Sequence, residues 1–353
     1  MLERPRLFGD LVTQVIRQRS CTFCGACMAA CPVNVLWPVD EEPTLVDRCA
    51  LCEICYYQCP KVDFSKEDVE AFVFGRSRRA DESIGIVLKS YTGRAAAVNT
   101  QTHGQDGGVV TSLLAYALES KLIEAAVVAG RDSVWHSRPT VATNYEQLVN
   151  NAGTKYTPSP TLLGVRSALY EYGKSQVGLV GTPCQVKAAR RIQTSPLGNS
   201  RLAQAMKLLI GLFCMESYGY EGLMRKYLTV KGVDPTTVTK VGIKKGSFIA
   251  LAGDLEVLHV PLKEIDEFVR PSCRQCDDFT AEYADISVGA IGSVSGYSTI
   301  IARTEQGLEL VKQAQKAGYI ELSELPPESK GFQKILSMAQ AKRLRTAVEK
   351  PRC

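Results

Sequence analysis

Apolar residues along the chain follow two kinds of spacing. Short apolar runs and period-two alternation predict strands over residues 84–100, 125–130, 177–180, 208–213, 286–290 and 300–301. Helical spacing follows several of these runs, over residues 110–117 and 162–172 and in two segments of the tail. Because strands alternate with helices in this way, we predict one large α/β unit, or two smaller domains, beyond residue 80.

The two ends of the chain differ from this alternating part. Residues 1–20 predict a helix whose apolar face contains Leu11, Val15 and Ile16. A charge run over residues 61–83 predicts a linker with a solvated face, and contact with an anionic ligand or partner is the alternative. The last helix of the tail places four residues on one face, namely Phe332, Ile335, Leu336 and Ala339.

The chain has 353 residues, of which 45% are hydrophobic and 22% charged, as in ordinary globular proteins. Its net charge of +5 is too small to indicate nucleic-acid binding, but it suits an anionic cofactor or an acidic partner. Residues 1–10 lack the apolar core of a signal peptide, and no run of about 18 apolar residues occurs. We therefore expect a cytoplasmic protein without a membrane span, which contacts any membrane through partner subunits.

Cysteine departs from this ordinary composition, since the chain contains 13. Two runs share the spacing Cys-x2-Cys-x2-Cys-x3-Cys-Pro. The runs are Cys21, Cys24, Cys27 and Cys31, followed by Cys49, Cys52, Cys55 and Cys59. At each of these positions the pattern resembles the bacterial two-cluster ferredoxins, which implies an α+β domain with two [4Fe–4S] clusters.

The spacing suits a cubane cluster, in which each of four irons binds a soft thiolate. Three thiolates of one short loop reach three corners, and the fourth must come from elsewhere in the fold. The resemblance implies that Cys59 completes the first set and that Cys31 completes the second. Zinc ribbons and disulfides are the alternatives, but zinc sites usually pair two separated Cys-x2-Cys units, and disulfides need an oxidising compartment.

Other residues lie close to the cysteine runs. Residues 44–46 predict a short strand in the spacer between the runs. Trp37 and Tyr56 are aromatic residues near the expected clusters. Packing around the clusters is favoured for both over a redox role.

Four more cysteines are dispersed through the predicted α/β unit. Cys184 follows a strand at the point where Pro183 favours the start of a helix, and Cys214 ends another strand. Cys273 and Cys276 form a Cys-x2-Cys pair. Strand ends of an α/β unit converge at one edge, so the four thiols could hold a third cubane or a structural zinc. Ordinary buried thiols remain the alternative for the two cysteines at strand ends.

A glycine-rich loop over residues 102–108 precedes the helix predicted from residue 110. Free backbone N–H groups at such a helix start make a good phosphate site, but the pattern alone favours a plain turn with a helix cap. The loop is neither the dinucleotide-binding motif nor a P-loop. His103, taken alone, is more typical of a structural residue. A second polar loop surrounds Lys155.

Several motifs together resemble the beta-subunit family of coenzyme F420-reducing hydrogenases and dehydrogenases. They are THGQDGGVVTSLL, GTKY, GTPCQ, LFCME, RPSCRQCDDF and the ADISVG and STIIART segments, spread over residues 84–320. With a ferredoxin fused in front, the chain is most similar to the F420H2 dehydrogenase branch of that family in methanogenic archaea. It also resembles the N-terminal part of deazaflavin-dependent sulfite reductases, but it contains no sulfite reductase module.

The resemblance implies an FAD, a third [4Fe–4S] cluster on the dispersed cysteines, and coenzyme F420 as substrate. The implied FAD contacts are Thr102, His103, Gly104, Gln105, Asp106, Gly107, Gly108, Thr111 and Lys155. The implied reaction is oxidation of reduced F420 (F420H2), with electrons leaving for a membrane-bound F420H2 dehydrogenase complex or for soluble ferredoxin. A flavin is needed in between, because a reduced deazaflavin gives up a hydride whereas cubanes accept single electrons.

The implied organisation is a two-[4Fe–4S] ferredoxin domain with its linker at 1–80, followed by an α/β, mixed-sheet, FAD-binding module. Its FAD-binding part covers 81–175, and the part with the third cluster covers 176–353. Basic residues are expected at the coenzyme's entrance, namely Lys187, Arg190, Arg191, Lys244 and Lys245. Two other functions stay open: a ferredoxin-dependent FAD/iron–sulfur reductase of the chlorophyll-precursor type, and a non-catalytic electron-relay protein without flavin.

Overall fold

The computed structural model describes residues 4–349, so the first residues of the predicted N-terminal helix and Cys353 lie outside the described part. The strands are β1 (Leu36–Val39), β2 (Glu42–Leu45), β3 (Lys89–Ala95), β4 (Ala125–Arg131), β5 (Ser137–Ala142), β6 (Val177–Gly181), β7 (Met206–Leu212), β8 (Lys240–Lys244), β9 (Ser247–Ala252), β10 (Leu255–Pro261), β11 (Ile286–Gly289), β12 (Ser298–Ala302) and β13 (Ile320–Glu324).

The helices are α1 (Phe8–Leu11), α2 (Ala26–Ala30), α3 (Ile54–Tyr57), α4 (Lys66–Phe74), α5 (Val98–His103), α6 (Val109–Glu119), α7 (Tyr145–Asn150), α8 (Leu162–Tyr170), α9 (Pro183–Thr194), α10 (Ser200–Ala205), α11 (Leu228–Val230), α12 (Pro271–Arg274), α13 (Glu305–Lys316) and α14 (Lys330–Glu349). π-helical turns cover Val12–Ile16 and Glu221–Tyr227, and 3-10 turns cover Pro235–Thr237 and Leu262–Phe268. None of the helices described between residues 4 and 349 is long and apolar enough to cross a membrane.

An eight-stranded sheet organises the larger part of the chain, in the order β13-β3-β12-β11-β7-β6-β4-β5. Strands β11, β7, β6 and β4 pair in parallel, while β12 pairs antiparallel with both β11 and β3. Strand β3 therefore runs in the same direction as the parallel strands. The carboxyl ends of these five strands meet at one edge, where ligands of α/β folds usually bind.

The sheet is buried on both faces, which explains the continuous apolar runs of its central strands. Val127, Leu179 and Leu209 face one layer, which contains α8, α9 and α10. Val128 and Val180 face the other layer, which contains α6 and α13. The two predicted parts of the module, residues 81–175 and residues 176–353, both contribute strands to this one sheet. The sheet is mixed, as the sequence analysis expected.

The N-terminal unit contains the β1–β2 hairpin and the short helices α2 and α3. It packs against α8, where the Leu162 N–H donates to the Cys24 carbonyl at 3.1 Å. The Arg166 guanidinium also donates to the carbonyls of Ala29 and Cys31, at 3.2 and 3.0 Å. The unit is therefore anchored to the sheet layer through backbone groups of its first cysteine loop.

The charged segment 61–83 is not only a linker, which corrects the expectation from sequence. It contains α4, which Ser65 caps by accepting the Asp68 N–H and which buries Val69. In the same segment Arg78 is half-buried between Glu70 and Glu282 and does not belong to a solvated face.

Two smaller expectations also need correction. Trp37 does not pack around the cysteines but is 52% exposed, whereas Tyr56 is buried. Residue 172, expected in the helix from 162, lies beyond the end of α8.

The sequence prediction missed a second sheet, of three strands in the order β10-β9-β8. Its core contains the buried Trp135, Tyr218 and Phe248. The lysines of β8 and the Lys245–Gly246 and Gly253 turns interrupt any long apolar pattern, since both turns need left-handed backbone. This sheet matters for the site because β8 lies beside the glycine-rich loop.

Candidate functional site

The eight cysteines of the N-terminal unit line two separate cavities. One cavity contains Cys21, Cys24 and Cys27 together with Cys59. The other contains Cys49, Cys52 and Cys55 together with Cys31. The last cysteine of each run thus lies with the other run, in the arrangement that the ferredoxin resemblance implies.

The two cysteine loops share an unusual backbone conformation. Phe23 and Leu51, at equivalent positions, have φ values of 56° and 54°, and Gly25 and Glu53 have values of 91° and 64°. Left-handed backbone at non-glycine residues is unfavourable by about 1–2 kcal/mol each and points to a functional constraint. It lets backbone N–H groups turn inwards, as the Leu51 N–H does towards the Cys49 sulfur at 3.4 Å. Such donors stabilise cluster-bound thiolates, so the loops fit [4Fe–4S] clusters.

Electrostatics also couples the thiols of each set. The pKa of Cys55 is raised to about 12, first by burial and then by the thiolates of Cys49 and Cys52. Burial likewise raises the pKa of Cys24, to which the thiolates of Cys59 and Cys21 add. Thiolates buried together in this way need a cationic centre among them before they ionise, which is what an iron cluster supplies.

The four dispersed cysteines also meet, at the carboxyl edge of the large sheet. Cys184 lies in the first turn of α9, which begins at Pro183 and has a capping box between Thr182 and Gln185. Cys214 follows β7, and Cys273 and Cys276 lie in and after α12. Burial first raises the pKa of Cys214, and the thiolates of Cys273, Cys184 and Cys276 raise it further. Among residues 4–349, no three His, Cys, Asp or Glu side chains surround a position for a single metal ion.

The three thiol sets form a series. Helix α2, which contains Cys27, packs against α9, whose first turn contains Cys184, so the dispersed set lies beside the first ferredoxin set. The Cys184 thiolate accordingly adds to the raised pKa of Cys24. The Cys55 thiolate acts in the same way on Cys27, so the two ferredoxin sets are also neighbours. The set with Cys49, Cys52, Cys55 and Cys31 is the outermost of the three, and Cys52 is exposed.

Sequence reasoning missed Lys342 of α14, which is 2% exposed. Its ammonium donates to the carbonyl oxygens of Cys214 and Asp278, at 2.6 and 2.8 Å. Burial alone would lower its pKa, but the thiolates of Cys276 and Cys214 outweigh burial and raise it. The signal was present, because Lys342 follows Phe332, Ile335 and Ala339 along the apolar face of the helix.

The glycine-rich loop is shorter than predicted, because Thr102 and His103 belong to α5 and the loop covers 104–108. The His103 ring bonds the Asn99 carbonyl, as a structural histidine does. The loop is tightly packed: a Cβ on Gly104 would lie 2.7 Å from the Gly108 Cα, and one on Gly107 would lie 2.8 Å from the Gly93 oxygen. These glycines bring the backbone close to the ends of β3 and β12.

The second polar loop is joined to the first by Gln105. Its side-chain oxygen accepts the Thr154 N–H at 3.0 Å, and its amide donates to the Val241 carbonyl at 3.4 Å. Next to it the buried Lys155 ammonium donates to the carbonyls of Asn151, Ala152 and Gly153, at 2.6, 3.0 and 2.8 Å. Burial lowers the pKa of Lys155 to about 7, and Arg131 acts in the same direction.

Cations and backbone donors surround the loop. Burial raises the pKa of Asp106, and Lys240 and Lys244 of β8 oppose this. Helix α6 begins at Gly108 without a side-chain cap, and Thr111 is buried in its first turn. Uncapped N–H groups with cations nearby fit the diphosphate of a dinucleotide.

Tyr156 links the second polar loop to the dispersed thiols. Its carbonyl accepts the Ser217 hydroxyl at 3.1 Å, and the Ser217 N–H donates to the Cys273 sulfur at 3.3 Å. The pKa of Tyr156 is raised by burial first, then by the charge of Asp106, and the Cys214 thiolate acts in the same direction. The phenol is therefore within electrostatic reach of both.

Three of the basic residues expected at the coenzyme's entrance have other contacts. Arg190 is buried, where it pairs with Asp285 at 2.9 Å and donates to the Tyr283 carbonyl. Arg191 donates to the Tyr57 carbonyl of the N-terminal unit, and the Lys187 ammonium lies 4.2 Å from the centre of the Phe64 ring. The expectation is wrong for Arg190, whose side chain is part of the sheet core. Lys244 and Lys245 lie at the β8–β9 turn, and the charge of Lys244 acts on Asp106.

Comparison with known families identifies three segments. Residues 174–328 match the C terminus of the coenzyme F420 hydrogenase/dehydrogenase beta subunit, and residues 90–165 match its N-terminal part. Residues 15–37 match a 4Fe–4S binding domain.

Individual relatives extend the similarity over most of the chain. The coenzyme F420 hydrogenase beta subunit of Methanothermobacter thermautotrophicus is 40% identical over 67% of this chain and 85% of its own length. A subunit of the F420H2 dehydrogenase of Methanosarcina mazei is 30% identical over 84% of this chain and 82% of its own length. The F420-dependent sulfite reductase of Methanocaldococcus jannaschii is 34% identical over 89% of this chain, and the match spans 49% of that protein.

Among solved structures, a chain of the F420-reducing [NiFe] hydrogenase complex from Methanosarcina barkeri superposes with a TM-score of 0.72 at 30% identity. The match covers 77% of this chain and 94% of that one.

Proposed function

The chain belongs to the coenzyme F420 hydrogenase/dehydrogenase beta-subunit family, and we propose that it oxidises reduced coenzyme F420 and delivers the electrons singly to a partner protein. Its relatives are F420-dependent oxidoreductase subunits, and it carries a 4Fe–4S motif. The finer assignment comprises an FAD, three [4Fe–4S] clusters, and F420H2 as hydride donor. In this proposal residues 1–80 form the ferredoxin domain, residues 81–175 the FAD-binding part, and residues 176–353 the part with the third cluster.

One observation carries the proposal: the cation-lined glycine loop and the three thiol sets form a continuous series. Gln105 of the loop bonds the Thr154 N–H next to Tyr156 in the second polar loop. Ser217 then bonds both the Tyr156 carbonyl and the sulfur of Cys273, which belongs to the Cys214 set. The Cys214 set includes Cys184, which neighbours Cys24 of the first ferredoxin set. A site for a two-electron cofactor thus leads into a row of one-electron sites.

An FAD bound at the loop would take a hydride from the deazaflavin and release its electrons one at a time. The residues of the chain have positioning roles. The N-terminal end of α6 and the loop 104–108 would receive the diphosphate, and Lys155, Lys240 and Lys244 would balance its charge. The dispersed cysteines would hold the third cluster next to it. No protein acid or base is required for hydride transfer between two stacked rings.

For the acceptor we propose another protein of a membrane-bound F420H2 dehydrogenase complex. The support is that a subunit of the F420H2 dehydrogenase of Methanosarcina mazei aligns with 84% of this chain, whereas the hydrogenase beta subunit of Methanothermobacter thermautotrophicus aligns with 67%. Soluble ferredoxin is the alternative acceptor, and the same site could run in the reverse direction.

The decisive experiment is to mix anaerobically purified, flavin- and cluster-replete protein with F420H2 and to record flavin and cluster absorbance. We expect rapid bleaching, electron transfer to a one-electron dye, and no response to NADH. A replete sample that does not bleach would contradict the proposal. Preparations lacking flavin but retaining iron serve as the control, and they should not respond to F420H2.

A further inference from the structure

The β1–β2 hairpin of the N-terminal unit ends in a turn that its residues do not favour. Asp40 and Glu41 form this two-residue turn, and their φ values are 48° and 59°. Left-handed backbone at both positions is the hairpin turn that prefers Asn-Gly, because glycine meets no steric penalty there. A glutamate at the second position is strained, which points to a function for its side chain.

The Glu41 carboxylate is bound by the larger part of the chain. One of its oxygens accepts the N–H of Tyr220, the residue before the π-helical turn at 221–227, at 3.0 Å. The other oxygen accepts the Arg270 guanidinium at 2.7 Å. The side chains of Glu41 and Arg270 are 15% and 13% exposed, so the pair is largely removed from water. The carboxylate therefore joins the hairpin to the module through both of its oxygens.

Arg270 extends this contact to two of the thiol sets. Its guanidinium also donates to the carbonyl of Cys21, which belongs to the first ferredoxin set, at 3.4 Å. Its backbone carbonyl accepts the N–H of Cys273, which belongs to the dispersed set, at 2.9 Å. The Arg270 N–H donates to the Ser217 carbonyl at 2.9 Å, and the Ser217 N–H donates to the Cys273 sulfur at 3.3 Å. One arginine thus lies between a cysteine of the first set and a cysteine of the dispersed set.

The cysteine loops and α3 are held by other elements. The Leu162 N–H and the guanidinium groups of Arg166 and Arg191 donate to backbone carbonyls there, from α8 and α9. Loss of the Glu41 carboxylate leaves these bonds in place. The N-terminal unit should then stay attached through α8 and α9, while its hairpin side moves away from Arg270.

We propose that Glu41 and Arg270 are positioning residues that set the separation of the first ferredoxin set from the dispersed set, and with it the rate of electron transfer between the two units. The inference rests on the proposed function for the clusters and for the direction of electron flow. In this step one electron leaves the site of the dispersed thiols and enters the site of the first ferredoxin set, and no proton moves and no bond forms or breaks. Because electron tunnelling through protein falls steeply with distance, a small displacement of the hairpin side should slow the step.

Glu41→Gly is the variant that tests this role, because glycine suits the left-handed turn and the substitution removes the carboxylate alone. The matched control is Asp40→Gly, which changes the neighbouring acidic residue of the same turn, whose side chain is exposed. Both variants lose one negative charge and relieve backbone strain. Only the first variant loses the bonds to Tyr220 and Arg270.

Rapid mixing with F420H2, followed by freeze-quench EPR, separates flavin reduction from reduction of the ferredoxin clusters. We expect flavin reduction at the wild-type rate and an unchanged KM for F420H2 in both variants, since neither substitution touches the glycine loop. Reduction of the ferredoxin clusters should slow about tenfold in Glu41→Gly, with unchanged cluster potentials, and should match the wild type in Asp40→Gly. A wild-type rate of this second step in Glu41→Gly would overturn the proposal.

Two measurements do not depend on the oxidation of F420H2. In dithionite-reduced protein, the magnetic interaction between neighbouring reduced clusters should weaken in the EPR spectrum of Glu41→Gly and not in that of Asp40→Gly. Hydrogen exchange of the Tyr220 amide should become faster in Glu41→Gly only. If both change while no protein responds to F420H2, the proposed function fails and the positioning role stands. If neither changes, the positioning role is overturned whatever the response to F420H2.

Iron content should show that each variant retains its clusters. If Glu41→Gly loses iron, Glu41→Gln takes its place, because the amide still accepts the Tyr220 N–H but leaves Arg270 without its anion. The magnetic interaction should then weaken in the same direction, and a wild-type spectrum of that variant would contradict the proposal.

Discussion

The Lys342 ammonium donates to the carbonyl oxygen of Cys214 at 2.6 Å, although 128 positions separate the two residues in the chain. The last helix thus places a buried cation against the dispersed thiol set. Arg345 and Thr346 of the same helix donate to the carbonyls of Cys273 and Cys276, at 3.4 and 3.0 Å. Helix α14 therefore bonds the backbone at three of the four cysteines of the proposed third cluster.

Removal of this cation should affect the third cluster and not the other two. Lys342→Met should lower the reduction potential of the third cluster, because a nearby positive charge favours the added electron. The shift is on the order of 100 mV for a unit charge several ångströms away at an effective dielectric constant near 20. Redox titration followed by EPR measures the three potentials separately.

The control for this change is Lys334→Met, an exposed lysine of the same helix, which should leave all three potentials unchanged. Lys342→Arg, which keeps the charge, should have a third-cluster potential close to that of the wild type. A third-cluster potential that stays constant in Lys342→Met would show that Lys342 acts only as a structural donor.

The buried pair of Arg190 and Asp285 should matter for stability and not for the coenzyme. Asp285 accepts the Leu209 N–H at 2.7 Å with its second oxygen, so Arg190→Met leaves a buried carboxylate without its cation. Breaking such a pair costs about 3–5 kcal/mol. Urea unfolding should show this loss, while KM for F420 in the folded fraction stays at the wild-type value. An increased KM with unchanged stability would return Arg190 to the coenzyme site.

The glycine loop should depend on Gly108 for its shape. Its φ is +69°, and a Cβ would lie 2.7 Å from the Thr100 oxygen, so Gly108→Ala adds both strain and a clash. Gly173 has a similar φ of +64° but no atoms within 4 Å of the Cβ position. We expect Gly108→Ala to lose most of its flavin, and Gly173→Ala to keep it with about 1 kcal/mol of destabilisation. Flavin absorbance per protein measures the flavin content, and thermal melting measures the stability of each variant. Equal flavin contents in the two variants would show that the loop does not hold the flavin.

The thiol sets differ in how far the sequence predicts them. Ligands that follow each other within a few residues, such as Cys21, Cys24 and Cys27, leave a spacing pattern. The dispersed set does not, because Cys184 and Cys214 meet only where the paired strands β6 and β7 end. The segment with Cys276 joins them through the bond from the Cys214 N–H to the Phe279 carbonyl. The grouping could be inferred from strand ends meeting at one edge, but the choice between cubane and zinc could not.

Other features depended on tertiary contacts that leave little pattern. Lys342 looked like any helix lysine until its place on the apolar face was considered together with Phe332 and Ile335. Trp37 was expected to pack around the clusters, but the hairpin turns it outwards. The β8–β10 sheet was missed because the lysines of β8 and the left-handed glycine turns interrupt its apolar pattern. Function is proposed around these elements, and at them the local sequence pattern agrees least with the fold.

Lys155 should make stability depend on pH in a defined window. Burial lowers its pKa to about 7, whereas an ordinary lysine in the unfolded chain keeps its proton up to about pH 10.4. Between these values the unfolded state binds a proton that the native state has lost, so the free energy of unfolding rises with pH; below pH 7 both states are protonated and the contribution is constant. From pH 7 to 9 the rise is about 2–3 kcal/mol. Urea unfolding of flavin-free protein measures how the free energy of unfolding depends on pH. This slope should be steeper in the wild type than in Lys155→Met. The control Lys207→Met, at an exposed site, should have the slope of the wild type. Parallel slopes in all three proteins would show that the amine stays charged in the folded state.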